Sequence, residues 1–270
     1  MRLYRWVETW AGRVAALRIP LYAGNSAFFL LLSLFPLASL LLALLQWTSI
    51  QEADLLRFVS QVSPEALMPL FQPLLDGLYA VQPVSLISVS AVTLIWSGSK
   101  GLYSLLQGLN AVDGAAETRS YLHVRLLCML STLSMLLALI LTLLLNVYGK
   151  ALLRLIASSG SWANRLLAFS LKYLHLYSTA FLLVVFALFY LVLPNRRQRL
   201  ARVLPGALAA AVAWNLFSSA LSLYVNHFPR ASTLYGSLTL LLFSLLWLYI
   251  CISIIFYGAL LNRVLERRLG

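Results

Sequence analysis

Residues 21–47 read LYAGNSAFFLLLSLFPLASLLLALLQW, a run of 27 residues without a charge. A helix needs about 20 mostly apolar residues to cross the hydrocarbon core of a bilayer, so this stretch is long enough to span one. A secretory signal has an apolar core of only about 7–15 residues, so the run reads as a retained anchor. Pro36 is expected to kink it. Ser33, three residues earlier, is placed to meet a carbonyl of the kind that proline frees in a membrane helix.

Five further apolar runs follow. They are Val84–Leu109, interrupted by Ser97-Gly98-Ser99-Lys100-Gly101; Leu122–Tyr148; Leu174–Leu193, stopping at Pro194-Asn195; Val203–Asn226; and Leu234–Asn262. The composition agrees with a chain living mostly in lipid. Of 270 residues, 61% are hydrophobic and 10% charged, and the mean hydropathy is +0.88, whereas soluble domains run about 45–50% apolar and about 25% charged. Disorder is excluded, because it requires low hydrophobicity. A soluble nucleic-acid binder does not fit either, since so little polar surface could not cover so much apolar side chain. Two cysteines, Cys128 and Cys251, both inside spans, exclude a disulfide-stapled secreted domain. The expected fold is an all-α membrane protein, a bundle of six transmembrane helices. Residues 1–20 form a cytoplasmic amphipathic segment, 21–262 one transmembrane domain and 263–270 a basic cytoplasmic tail.

The net charge of +12 comes from 20 Lys and Arg against 8 Asp and Glu. If the six runs cross in turn, fourteen cations fall on the side of the termini and six on the other. The positive-inside rule then places both termini in the cytoplasm. The outer connections Ser49–Pro83 and Gly149–Tyr173 alternate apolar residues with spaced charges, which suits interfacial amphipathic helices. The same character marks LYRWVETWAGRVAALR near the N-terminus, with Trp6 and Trp10 as interface anchors.

Phosphodiester hydrolysis wants clustered carboxylates or histidines, with or without metal. The inner acids Glu8, Asp113, Glu117 and Glu266 come from separate segments, and His123, His175 and His227 follow no ligand spacing. No catalytic residue, metal or cofactor is expected, and the basic flanks suit anionic lipid headgroups rather than nucleic acid. His175 and His227 should both lie near the outer surface, as ordinary interfacial histidines or as a shared site. Ionisable groups within a membrane are costly and often functional. Lys100 therefore either meets an anionic group in a cavity or snorkels to the headgroups from a position near the inner end. Asn25, Asn215, Asn226 and Tyr235 are the other substrate-pathway candidates, because amide side chains need partners in lipid. Trp96, Trp214 and Trp247 are expected to pack in the bundle core. Gly206 and Ala210 form a small-xxx-small pair of the kind that lets membrane helices approach.

The segments NSAFFLLLSLFPLASLLLALL, LIWSGSKGLYSLLQGLNAV, YLVLPNRRQRLARVLPGALAAAVAW and SLYVNHFPRASTLYGSLTLLLFSLLWLYICISIIFYGALLN occur in this order. Together they resemble the YihY/virulence factor BrkB family, historically mislabelled ribonuclease BN-like. The resemblance covers roughly residues 20–262 and implies a bacterial inner-membrane protein suspected of transport. It assigns structural motif positions to Pro36, Gly206, Gly236, Trp247, Gly258 and Asn262. Where the family commonly ends G-A-E-L-N, this chain reads Gly258-Ala259-Leu260-Leu261-Asn262, so an acid-based mechanism would lack its acid at Leu260. The function this implies is a transporter or a lipid/envelope-associated permease acting on a small molecule or lipid. The alternatives are a scaffold for envelope assembly, with a homo-oligomer open, and, last, a ribonuclease.

Overall fold

The computed structural model describes residues 15–45, 60, 85–156, 174–227 and 237–269. They form six helices and no strand: α1 (Ile19–Leu45), α2 (Ser85–Asp113), α3 (Tyr121–Ile156), α4 (Leu174–Val192), α5 (Leu200–His227) and α6 (Ser237–Leu269). The expected amphipathic segments within 1–14, 49–83 and 157–173 lie outside the described residues, Ser60 excepted. So do Tyr235 and Gly236.

Four helices contain stretches long and apolar enough to cross a membrane: Ile19–Leu40 in α1, Tyr121–Ala138 in α3, Leu200–Tyr224 in α5 and Leu241–Arg267 in α6. α4 contributes a shorter apolar stretch, Thr179–Val192. α2 is diluted by serine, yet four of these serines, Ser90, Ser97, Ser99 and Ser104, are buried. Its low hydropathy thus reflects what covers it.

α2 packs along α1, with α3 and α6 on its other sides, while α6 also contacts α1 and α5, and α4 lies on α5. The antiparallel α1–α2 contact is stitched by two hydroxyls. Ser26 Oγ donates to the Gly101 carbonyl and Ser104 Oγ to the Tyr22 carbonyl, each at 3.1 Å. One apolar core runs through the bundle, with Leu106, Leu109, Phe186, Tyr190, Val203 and Phe256 among its buried members. Among the described residues, no buried side-chain nitrogen or oxygen lacks a partner, as a low-dielectric interior requires.

Three helix ends differ from the sequence reading. α3 continues past Tyr148 to Ile156, carrying Gly149 inside it at a cost of about 1 kcal/mol, with the good helix formers Lys150, Ala151, Leu152, Leu153 and Arg154 following. The connection expected from Gly149 therefore begins as helix. α6 continues through Arg263 to Leu269, so most of the tail at 263–270 is its last two turns. α2 ends at Asp113 in a Schellman arrangement: the Ala115 N–H donates to the Asn110 carbonyl at 2.9 Å and the Gly114 N–H to the Ala111 carbonyl at 3.2 Å. Gly114 has φ +63°, a conformation that costs glycine little.

At the α5–α6 crossing, a Cβ added to Gly206 would lie 2.1 Å from the Gly258 carbonyl oxygen, and one added to Gly258 would lie 2.7 Å from the Gly206 oxygen. Ala210, four residues on, is also buried in this seam. A Cβ added to Gly98 would meet the Thr132 methyl at 2.8 Å, a side-chain rather than a backbone contact. Gly206→Ala is accordingly expected to lower stability by about 3 kcal/mol or more, at the upper end of overpacking costs, and Gly98→Ala by about 1 kcal/mol. Thermal unfolding of the purified variants in detergent compares the two; equal losses would contradict the backbone-contact account.

Candidate functional site

Among the described residues, a network of charged and amide side chains occupies the bundle end where α2 stops, α3 begins, α4 passes to α5 and α6 emerges. Pro194 closes α4, and the next residue, Asn195, ties two connections together. Its backbone N–H donates to Asn110 Oδ1 at 2.7 Å, and its amide donates to the Ala116 carbonyl at 2.9 Å and to Thr118 Oγ1 at 2.8 Å. Asn110 Nδ2 in turn donates to Glu117 Oε2 at 2.9 Å. Arg119 grips Glu117 with both prongs, Nε to Oε1 at 2.8 Å and Nη2 to Oε2 at 2.7 Å, and Nη2 also reaches the Leu193 carbonyl at 2.9 Å. The Arg119 hydrogen bonds, seconded by that of Asn110, hold the Glu117 carboxyl down at about 2.

Beside this closed network lies an open cleft of about 160 Å³, well above the roughly 10–15 Å³ that admits one water. Asp113 forms one wall, at the end of α2. Arg197, Gln198 and Arg199 approach from the α4–α5 connection and Arg202 from the first turn of α5. α6 supplies Asn262, Arg263 and Glu266. Glu266 Oε1 accepts from both Arg196 Nη2 at 2.8 Å and Arg202 Nη1 at 2.6 Å. Asp113 Oδ2 accepts from Gln198 Nε2 at 2.6 Å. Burial raises the Asp113 pKa, more than the Arg196 and Arg263 charges and the Gln198 bond lower it. Arg263 Nη1 donates to the Val112 carbonyl, capping the end of α2.

Asn262 joins the cleft to the α5–α6 crossing. Its Oδ1 accepts from the Gly206 N–H at 2.6 Å and its Nδ2 donates to the Val203 carbonyl at 3.1 Å. Pro205, within α5, has no N–H of its own to offer that turn, so the Asn262 amide supplies bonds where the helix ladder is interrupted. Tyr190 from α4 closes the seam by donating to the Ile255 carbonyl at 2.7 Å.

The described candidates lie on three helices, α1, α2 and α5. Asn25 is exposed on α1. Asn215 bonds Thr179 Oγ1 on α4 at 3.0 Å and the Ala211 carbonyl of its own helix at 3.2 Å. Asn226 sits in the last turn of α5. Lys100 lies thirteen residues before the end of α2, about 20 Å at 1.5 Å per residue, with Nζ 3.8 Å from the Trp96 ring centroid and 5.2 Å from that of Phe29. The expected core packing of Trp96 is corrected. It is 47% exposed, whereas Trp214 packs between Phe186 and Trp247, with ring centroids at 5.5 and 5.7 Å in tilted and edge-to-face contact. Pro36 is buried within a continuous α1, and Ser33 Oγ donates to the Leu30 carbonyl at 2.7 Å. Leu260 packs against the apolar core.

The sequence reading missed the cleft. Its acids are far apart in the chain, and only tertiary contact brings Asp113 to Glu266. The helix-stopping pairs Asp113-Gly114 and Pro194-Asn195 were the available signal, since two tight turns at one end concentrate unpaired backbone groups that need polar side chains. Among the described residues, no three His, Cys, Asp or Glu side chains come close enough to hold a metal.

Among the described residues, an all-helical bundle with four helices apolar and long enough to cross a membrane defines an integral membrane protein. The chain belongs to the family described as Virulence factor BrkB, which it matches over residues 11–270. It is 29% identical over 256 residues to the ribonuclease-like protein YfkH of Bacillus subtilis, covering 93% of each chain. It is 28% identical over 259 residues to a UPF0761 membrane protein of Aromatoleum aromaticum, covering 94% of this chain and 62% of that longer one. A UPF0761 membrane protein of Alteromonas mediterranea is 36% identical over 77 residues, 28% of this chain and 26% of that one. No solved structure matches.

The Glu117–Arg119 pair makes stability depend on pH. With its folded pKa near 2 against an ordinary 4.5, Glu117 stabilises the fold above about 4.5 and loses that contribution as pH falls towards 2. Glu117→Gln should therefore melt below wild type at pH 7, with the gap closing near pH 2. Melting curves in detergent across that range check it; a gap independent of pH would mean the charge is irrelevant.

Proposed function

We propose that the chain is a bacterial inner-membrane protein of six spans, formed by α1–α6, with both termini in the cytoplasm. In this reading it is a transporter or lipid-associated permease that moves a small molecule or lipid by gating between helices, without covalent chemistry. The observation that carries the reading is Lys100. A cation at the centre of a span costs about 2.5–3.5 kcal/mol on insertion scales, and contact with aromatic rings returns about 0.5–2 kcal/mol. Trp96 and Phe29 thus offset only part of the cost. At about 20 Å from the Asp113 end, the four-carbon stem of lysine falls well short of the headgroups there. A cation retained at such depth is accounted for by a negatively charged group that passes it.

The ribonuclease-like name of YfkH belongs to that protein. For this chain, the acids that share a site, Asp113 and Glu266, already accept from Gln198 and from two arginines, and the cations around them are more numerous. That arrangement favours holding an anion over activating water. A scaffold for envelope assembly is the competing role, and it would leave Lys100 without an assignment.

Two outcomes are expected. A reporter fused after Gly270 should register the cytoplasm; a periplasmic signal would invert the proposed topology. In proteoliposomes loaded with a panel of labelled organic anions and fluorescent lipids, wild-type protein should produce flux that Lys100→Ala reduces by about tenfold and Lys100→Arg largely keeps. Flux no greater than in protein-free vesicles would favour the scaffold.

A further inference from the structure

The Arg cleft has a charge surplus that its own acids do not consume. Four arginines line it, against Asp113 and Glu266. Glu266 is committed to Arg196 and Arg202, and Arg263 to the end of α2. The side chains of Arg197 and Arg199 take no partner among the described residues, and both residues line the open volume. The amino-terminal turn of α5, whose partial positive charge attracts anions, enters the same cleft through Arg202. A single carboxylate is met by one guanidinium fork, whereas several converging forks suit the oxygens of a phosphate.

We propose that this cleft binds a phosphate-bearing anion, with Arg197 and Arg199 as its principal contacts. The cytoplasmic location of the site rests on the topology proposed above, but binding itself does not depend on orientation. Two sources share this chemistry. One is the headgroup of an anionic phospholipid entering where α5 and α6 leave the membrane, and the other is a free phosphate compound from solution. Asp113 sets the charge of the cleft: facing Arg196, Arg263, Gln198 and Glu266, its carboxylate opposes an incoming anion. Asn262, at the back of the cleft, also bonds α5 at Gly206 and Val203, so an occupant would lie against the contact that joins α5 to α6.

The test uses the full chain purified in detergent, titrated with pyrophosphate by calorimetry and, separately, with phosphatidylglycerol by native mass spectrometry. Arg197→Gln/Arg199→Gln is compared with Arg18→Gln/Arg125→Gln, which removes as many cations from outside the cleft. The cleft variant should weaken binding about tenfold or more in whichever arm binds, as expected for loss of charge-assisted bonds, while the control stays within about twofold. Pyrophosphate binding identifies a soluble ligand and lipid binding alone a headgroup; either supports the site. Asp113→Asn, which retains an acceptor for Gln198, should tighten binding. Absence of binding in both arms, or equal losses in the two double variants, would overturn the proposal and leave a diffuse positive surface. Because flux is not measured here, this result stands or falls separately from the transport experiment.

Discussion

The approach of two helix backbones at Gly206 and Gly258 governs the architecture of this end of the molecule. With the Gly258 carbonyl where a Cβ on Gly206 would have to be, α5 and α6 meet without side chains between them. That proximity brings the Asn262 amide within reach of the interrupted α5 ladder. One turn further along α6, it sets Glu266 opposite Arg202. The cleft is the space left where α6 diverges from the α4–α5 connection, and its dimensions follow from that crossing. Lipid supplies no hydrophobic drive for helices to associate, so small residues and interhelical hydrogen bonds do the joining. The same economy appears between α1 and α2, where serine hydroxyls bond carbonyls across the contact.

A division of surfaces follows. Outward faces carry large apolar side chains, as at Leu130 and Leu137 on α3, Val184 and Leu188 on α4, and Leu208 and Leu216 on α5, all exposed. In water such a surface would be a liability; in a bilayer it is solvation. α2 follows the pattern with Val89, Val92 and Trp96 exposed, and differs in also burying the hydroxyls of Ser90, Ser97, Ser99 and Ser104. Its departure from ordinary span composition is thus local and positional.

Much of the fold was legible because hydrocarbon thickness imposes a length on apolar runs, and six such runs coincide with the six helices to within a few residues at most ends. Termini were less legible: α3 runs on beyond Tyr148 through Gly149, and α6 beyond Asn262 is held by the tertiary bonds of Arg263 and Glu266, through residues whose charge suggests a loop. Gly206, Gly258 and Asn262, read as motif positions, prove to be one contact, and the small-xxx-small pair at Gly206 and Ala210 lies in it. Lys100 was legible as an anomaly, but its ring partner Phe29 comes from another helix. The cleft was not legible. Asp113 and Glu266 are separated by more than half the chain, and a periodic pattern records which face of a helix is apolar without recording which other end it will meet.

The network around Asn110 also carries a consequence for the order of assembly. Asn110 and Glu117 leave the ribosome some 85 residues before Asn195, roughly 4–17 s at synthesis rates of about 5–20 residues per second. During that interval the Schellman turn at Gly114 and the Glu117–Arg119 pair, both local in sequence, can already shape the α2–α3 hairpin. The side-chain Oδ1 of Asn110 must meanwhile remain hydrated. Arrival of the α4–α5 turn replaces that water with a backbone N–H, so the second half of the protein latches onto a surface the first half has already prepared.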